Sequence, residues 1–401
     1  MNLIDTENLY CAHNYLPLPV MLVRGRGVYV WDDKGKRYFD MMSAYSAVSH
    51  GHLHPRLVSA LTAQLTQLTV VSRAFYTDKL APFLQKACEL SGQDKALPMN
   101  TGAEAVETAI KAARKWAYKV KGVAADKAEI ITCNNNFHGR TITIIGFSTE
   151  QQYKDGFGPF PNGFKNIPFG DTDALETAIT ENTAAFLVEP IQGEGGIIVP
   201  PDGYLKKCQE ICQKHNVLLI CDEIQTGLGR TGKLFACDHD NVTPDGLILG
   251  KALGGGMLAV SLFLSRKDVM DVFTPGDHGS TFGGNPLSSV VGFEALKLTV
   301  EKQLPDAANT LGEHFMQTLK DMNSPLIKEV RGRGLLIGVE IDGELSSARK
   351  VCEALMNNGI LTKETHETVV RFAPPLVTTK GELDSALIII KRVFKSLEEE
   401  R

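Results

Sequence analysis

The run GLILGKALGGG, from Gly246 to Gly256, passes from an apolar stretch of strand character into glycine, a single lysine and more glycine. A lysine after a strand most often leaves the core for water, since lysine is seldom fully buried. A second reading makes Lys251 a nucleophile, its amine bonding covalently to a carbonyl cofactor while the glycines leave the ligand room. VLLICDEIQTGLGRTG carries a related pattern of opposite charge, with Asp222 and Glu223 directly after five apolar residues. At least one of these acids is expected at a strand's buried end, where it needs a cationic partner. Gly227, Gly229 and Gly232 spell G-x-G-x-x-G, but four residues, Glu223 to Thr226, separate them from the apolar run, and no clear amphipathic helix follows. The tight strand–turn–helix unit of a dinucleotide fingerprint is therefore missing. MNTGAEAVETAIKAARKW opens a helix, with Thr101 and Glu104 at capping-box spacing and Val106, Ile110, Ala113 and Trp116 on an apolar face. Its free N–H groups, with Gly102 admitting a close approach, suit a phosphate, although an ordinary cap would look the same.

Such residues need a sheet to bring them together. Apolar β-rich runs at EIITC (129–133), AAFLVEP (184–190), VLLICDE (217–223), GLILG (246–250) and AVSLFLS (259–265) alternate with helical spacing, notably over 102–119 and 202–215. Runs apolar on both faces are expected in a largely parallel sheet covered by helices, with ligands at the carboxyl ends of its strands. Before this α/β region, LVRGRGVYVWDDKGKRYFD reads as strands around an Asp32–Gly35 turn, and a helix starts near Pro55. After about residue 300 a second mixed unit includes GLLIGVEI (334–341) and a closing helix near 381–399.

The chain has 401 residues, 43% of them hydrophobic and 22% charged, with a formal charge of -5. That length allows two or three structural domains. The mild acidity argues against a nucleic-acid binder, and no apolar run has the length of a membrane span. MNLIDTENLYCAHNY has neither a basic segment followed by an apolar one nor an Arg-rich amphipathic stretch, so no targeting peptide is expected. Eight cysteines in a chain this long suggest a reducing cytoplasm rather than a disulfide framework. Cys208 and Cys212 share a helix face with Tyr204, Leu205 and Ile211, as core residues do, and the helix ends at His215-Asn216. His50, His52 and His54 alternate through a Gly/Pro turn and read as a loop, so no metal site is assigned.

Together, Lys251 in LILGKALGGG, Asp222 in DEIQTGLGRTG, NTGAEA, EPIQGEGG and HGSTFGGNP resemble the class III (ω-amino acid) aminotransferases, which are fold-type I pyridoxal phosphate enzymes. The resemblance runs from about Tyr10 to the region of Arg371. YCAHNYLPLPV, SAYSAVSHGHLHP, VSRAFY, KDGFGPF, GSTFGGNPL and VRFAPPLV match most closely the members that act on the δ-amino group of ornithine. It implies a large domain over 51–295, with a mostly parallel sheet that binds pyridoxal 5'-phosphate. A smaller α+β domain would come from the chain ends, 1–50 and 296–401.

The resemblance also implies roles. Lys251 would bond to the cofactor's aldehyde and then carry protons, and Asp222 would keep the pyridine nitrogen protonated. Gln225 would contact the ring hydroxyl and Phe137 would stack on the ring. Thr101, Gly102 and Ala103 would hold the phosphate, Ser280 would also bind the cofactor, and Thr281 would help from the neighbouring subunit of a homodimer. Arg140 would bind the substrate carboxylate, while Tyr15 and Tyr45 orient the α-amino acid end of ornithine. Glu194 and Arg371 would form a switch, paired for ornithine and opened for 2-oxoglutarate. Members acting on ornithine commonly have tryptophan where this chain has His138. The rival readings are an acetylornithine or 4-aminobutyrate aminotransferase, a nicotinamide-dependent dehydrogenase resting on GLGRTG alone, and a catalytically silent cofactor-binding interaction protein.

Overall fold

The computed structural model describes residues 2–400. Its central sheet has seven strands, in the order Lys95–Met99, Ser261–Ser265, Gly246–Leu249, Leu218–Asp222, Thr183–Val188, Glu129–Cys133 and Phe164–Ile167. Ser261–Ser265 runs antiparallel to both neighbours, and the remaining pairings are parallel. Every residue of Thr183–Val188, Leu218–Asp222, Gly246–Leu249 and Ser261–Ser265 is buried, which is why these segments read as unbroken apolar runs. Val188 pairs with Cys221 and Asp222 with Ile248, so three adjacent parallel strands end along one edge of the sheet.

The helix Gly102–Trp116 carries the expected capping box: Glu104 N–H donates to Thr101 Oγ1 at 3.3 Å, and Thr101 N–H donates to the Glu104 carboxylate at 2.6 Å. Val106, Ile110, Ala113 and Trp116 are buried. The helix is α-helical only to Trp116; a wider π-helical turn, Ala117–Lys121, carries it on to Gly122, whose φ of 88° ends it. The helix Tyr204–Lys214 buries Cys208 and Cys212 and ends at His215. His50 hydrogen-bonds Thr299, His52 pairs with Asp40, and His54 caps the helix Pro55–Leu65, so each has its own partner.

Strands Leu22–Arg26, Tyr29–Asp32 and Arg37–Asp40 form a meander, its second turn fixed by Asp32 Oδ1 accepting from the N–H groups of Lys34 and Lys36. A strand from the far end of the chain, Ile360–Leu361, pairs parallel with Arg37–Asp40. A second, antiparallel sheet has the order Ile327–Arg333, Leu336–Ile341, Val369–Phe372 and Lys363–Thr365. Its second strand starts two residues later than the apolar run GLLIGVEI suggests, because Gly334, with φ 54°, makes the turn. Val28, Phe39 and Met41 share one core with Phe315, Phe372 and Phe394, so the two ends of the chain bury each other. The GLGRTG stretch joins this unit to the central sheet. Arg230, fully buried, donates to the carbonyls of Leu335 (3.0 Å) and Pro374 (2.6 Å) and to Ser49 Oγ (2.9 Å).

Candidate active site

Three neighbouring strands each deliver a charged residue to the same edge. Glu189 follows Thr183–Val188, Asp222 ends Leu218–Asp222, and Lys251 lies two residues past Gly246–Leu249. All three line one cavity of about 190 Å³, with Phe137, Gln225 and the helix start at Gly102 and Ala103. Parallel sheets place ligands at this position because the strand ends leave a crevice there. Lys251 has a left-handed φ of 42° after an extended Gly250, a conformation that side-chain-bearing residues adopt at a cost. Burial holds its amine below the ordinary lysine range, with the Glu194 charge opposing, so the exposed-lysine reading does not hold.

The buried Asp222 has a hydrogen-bonding partner in His138. The two meet at 2.6 Å between His138 Nδ1 and Asp222 Oδ2, and Asp222 Oδ1 accepts the Ile224 N–H at 3.0 Å. Burial pushes the imidazole down, but the Asp222 hydrogen bond and charge outweigh it and raise its pKa. His138, which replaces the expected tryptophan, therefore fixes Asp222 as well as walling the cavity.

Glu194 and Arg371 form a bidentate pair at 2.7 and 2.9 Å. Burial raises the Glu194 carboxyl, but the Arg371 charge and hydrogen bonds overcome it and hold the pKa down to about 2. The Arg371 guanidinium also lies 5.1 Å from the centre of the Tyr45 ring. Gln225 Nε2 donates to Glu194 Oε1 at 3.1 Å, tying the pair to the cavity wall. A Cβ on Gly193 would come within 1.6 Å of Gln225 Oε1, so only glycine leaves the amide its place.

Other expected residues lie further out. Arg140 sits beside Phe137, its guanidinium 5.5 Å from that ring. Tyr15 is exposed and lines a groove with Tyr45 rather than the Lys251 cavity. Thr101 caps the helix without lining the cavity. Ser280 and Thr281 lie in a separate groove with Val70 and Arg73, although Ser280 Oγ accepts from Asn100 Nδ2 at 2.8 Å. A single chain therefore does not bring Tyr15, Ser280 or Thr281 to the cavity.

Glu189 was not among the expected site residues. Its oxygens accept the N–H groups of Phe137 (2.9 Å) and Gly193 (3.2 Å), linking two walls of the cavity. Burial raises its pKa to about 7. The signal was present in the sequence, since AAFLVE has the same form as LLICD, an acid ending an apolar strand.

A lysine and an aspartate on adjacent strand ends share one cavity with a helix start, an arrangement of an α/β protein that binds its ligand at the strand ends. The family model Aminotransferase class-III matches residues 10–394, and the chain belongs to that family. It is 58% identical over 393 residues to ornithine aminotransferase 2 of Staphylococcus aureus, covering 98% of each chain. The crystal structure of ornithine aminotransferase from Toxoplasma gondii matches with a TM-score of 0.98 at 48% identity, over 100% of this chain and 96% of that one. A further structure of that Toxoplasma enzyme has pyridoxal phosphate partially occupying its active site. Acetylornithine aminotransferase from Elizabethkingia anophelis has a TM-score of 0.90 at 48% identity, with 98% of each chain covered.

Proposed function

We propose that this chain transfers the δ-amino group of ornithine to 2-oxoglutarate, giving glutamate 5-semialdehyde and glutamate, with pyridoxal 5'-phosphate as cofactor. The observation carrying this reading is the Glu194–Arg371 pair beside Lys251, its arginine buried and its glutamate half-buried, with Tyr45 against the arginine. The residues present fit the cofactor. Gln225 Oε1 is buried without a partner, which the ring hydroxyl would satisfy, and the N–H groups at Gly102 and Ala103 suit its phosphate. When bound, the cofactor supplies an electron sink for the substrate carbanion.

The chain's own groups do the rest. Lys251, its basicity lowered by burial, holds and moves the proton at its Nζ. Asp222, oriented by His138, would stabilise a protonated ring nitrogen, and Phe137 would cover the ring face. Arg140 takes the α-carboxylate of ornithine, with Tyr15 and Tyr45 orienting its α-amino end. Glu194 masks Arg371 meanwhile. When 2-oxoglutarate enters, Arg371 leaves Glu194 and binds its α-carboxylate.

The same reading divides the chain into 1–50 and 296–401 as a small domain around a large domain at 51–295. It also makes the enzyme a homodimer in which Thr101, Ser280 and the neighbour's Thr281 complete the phosphate site. Exposed Val70, Phe75, Tyr76 and Phe282 would supply apolar contact at that interface. Sedimentation of the active enzyme should then give a dimer or larger, and a fully active monomer would exclude a shared site. A cytoplasmic location is in keeping with eight free cysteines. None of the helices among the described residues is long and apolar enough to cross a membrane.

Half-reactions with ornithine, N-acetylornithine and 4-aminobutyrate test the substrate. Ornithine should react fastest, because the other two lack a free α-amino acid head for Tyr15 and Tyr45; a faster reaction with N-acetylornithine would transfer the assignment to that substrate.

Glu194→Ala tests the switch. With Arg371 unmasked, ornithine's α-carboxylate can reach it and set the α-amine over the cofactor. The δ-to-α product ratio after single turnovers should fall by about tenfold, the size of a modest lost ion-pair discrimination. Glutamate should compete better, while the half-reaction with 2-oxoglutarate changes less because it uses the unpaired arginine anyway. An unchanged product ratio would place regioselectivity on Tyr15, Tyr45 and Arg140.

A further inference from the structure

Arg140 differs from Arg371 in having no carboxylate partner among the described residues; what holds it is aromatic. Its guanidinium carbon lies 3.8 Å from the centre of the Tyr153 ring and 5.5 Å from that of Phe137. The two rings meet edge to face at 6.1 Å and 81°. Tyr153 is half-buried on the one-turn helix Gln151–Lys154, which Glu150 caps. Burial raises its hydroxyl pKa, with the Arg140 charge opposing, and the phenol is neutral at neutral pH.

This arrangement solves a problem particular to a substrate-binding arginine. An acid beside Arg140 would hold it still but would use up the N–H donors that a substrate carboxylate needs. A ring attracts the cation through its face and leaves those donors free. The same ring supports the edge of Phe137, so the guanidinium and the cofactor's proposed stacking partner are held at one spacing. That spacing matters for a substrate whose carboxylate and reacting amine lie at opposite ends.

We infer that Tyr153 is the positioning residue for Arg140, and that its ring sets the preference for amines bearing a carboxylate at the far end from the reacting nitrogen. This rests on Arg140 being the partner of that carboxylate.

The test compares ornithine with 1,4-diaminobutane, which is ornithine without the α-carboxylate, in the amine half-reaction of the holoenzyme. In Tyr153→Leu the ornithine-to-diamine ratio of kcat/KM falls about tenfold, mostly through the KM for ornithine, while any loss transmitted through Phe137 is common to both amines and cancels in the ratio. The dissociation constant of pentanoate, an inert carboxylate of the same chain length, rises by about the same factor in calorimetry. Tyr153→Phe, which keeps the ring, restores both values. The inference is overturned if Tyr153→Leu leaves the ratio unchanged, if both amines lose equally, or if phenylalanine fails to rescue. Arg140→Met separates the role of the arginine from that of the ring. If that variant leaves the ratio unmoved, the reading of Arg140 itself fails. If it collapses the ratio while Tyr153→Leu does not, only the role of Tyr153 fails.

Discussion

Lys251→Ala should bind pyridoxal phosphate and yet turn over ornithine several orders of magnitude more slowly than the parent. Binding survives because Phe137, Gln225, Asp222 and the helix start at Gly102 are untouched by the change. Turnover does not, because the cavity holds no second amine and none of its three carboxylates can take over: Glu194 is held by Arg371 and Gln225. Asp222 is engaged by His138 and the Ile224 N–H, and Glu189 by the N–H groups of Phe137 and Gly193. Lys251 is half-buried, and truncating it removes an amine whose charged form this setting disfavours, so the folded state should not suffer. Borohydride reduction of the parent should fix the cofactor to the peptide containing Lys251, and label on any other lysine would end the mechanism. Thermal unfolding with and without cofactor, alongside single-turnover rates, separates lost chemistry from lost binding.

Asp222→Asn should lower kcat by roughly a hundredfold or more, the scale of removing a preorganised charge from a closed site. The substitution keeps the side chain's shape but removes the anion that favours a protonated ring nitrogen. It also disturbs the contact with His138, which is raised in basicity largely because Asp222 is there. The expected pattern is a fall in kcat with the covalent link to Lys251 still trapped by borohydride. Near-normal turnover would show that Asp222 is not the ring's partner. Glu223 is a poor substitute, because its carboxylate is turned away to Cys237 N–H at 2.8 Å and to Thr226.

The parts of this site visible in the sequence are those that strand ends impose. Lys251 and Asp222 each close an apolar run, so a sheet buried on both faces could put them only at one crevice. Glu189 follows the same rule, whereas Glu194 in EPIQGEGG is legible only through resemblance. Arg371 and Tyr45 were legible only through resemblance, because no local pattern reveals the turn that carries Tyr45. Ser43, Ala44, Tyr45 and Ser46 all have positive φ, between 46° and 77°, without a glycine among them. Such a turn survives only where tertiary packing imposes it, as it does under Ser43 and Ser46, both buried. The parallel pairing of Ile360–Leu361 with Arg37–Asp40 joins opposite ends of the chain, beyond the reach of any periodicity. His138 shows the reverse case. It was visible as a departure, but its hydrogen bond to Asp222 depends on the two elements meeting in space.

Following the nitrogen decides whether this site moves the δ-amine of ornithine rather than the α-amine. Ornithine isotopically labelled at its δ-nitrogen is incubated with 2-oxoglutarate and the holoenzyme, and the glutamate formed is read by NMR. Labelled glutamate is expected from δ-labelled ornithine, and unlabelled glutamate from α-labelled ornithine. Label passing from the α-position would mean that Glu194 does not mask Arg371 and that the substrate binds the other way round.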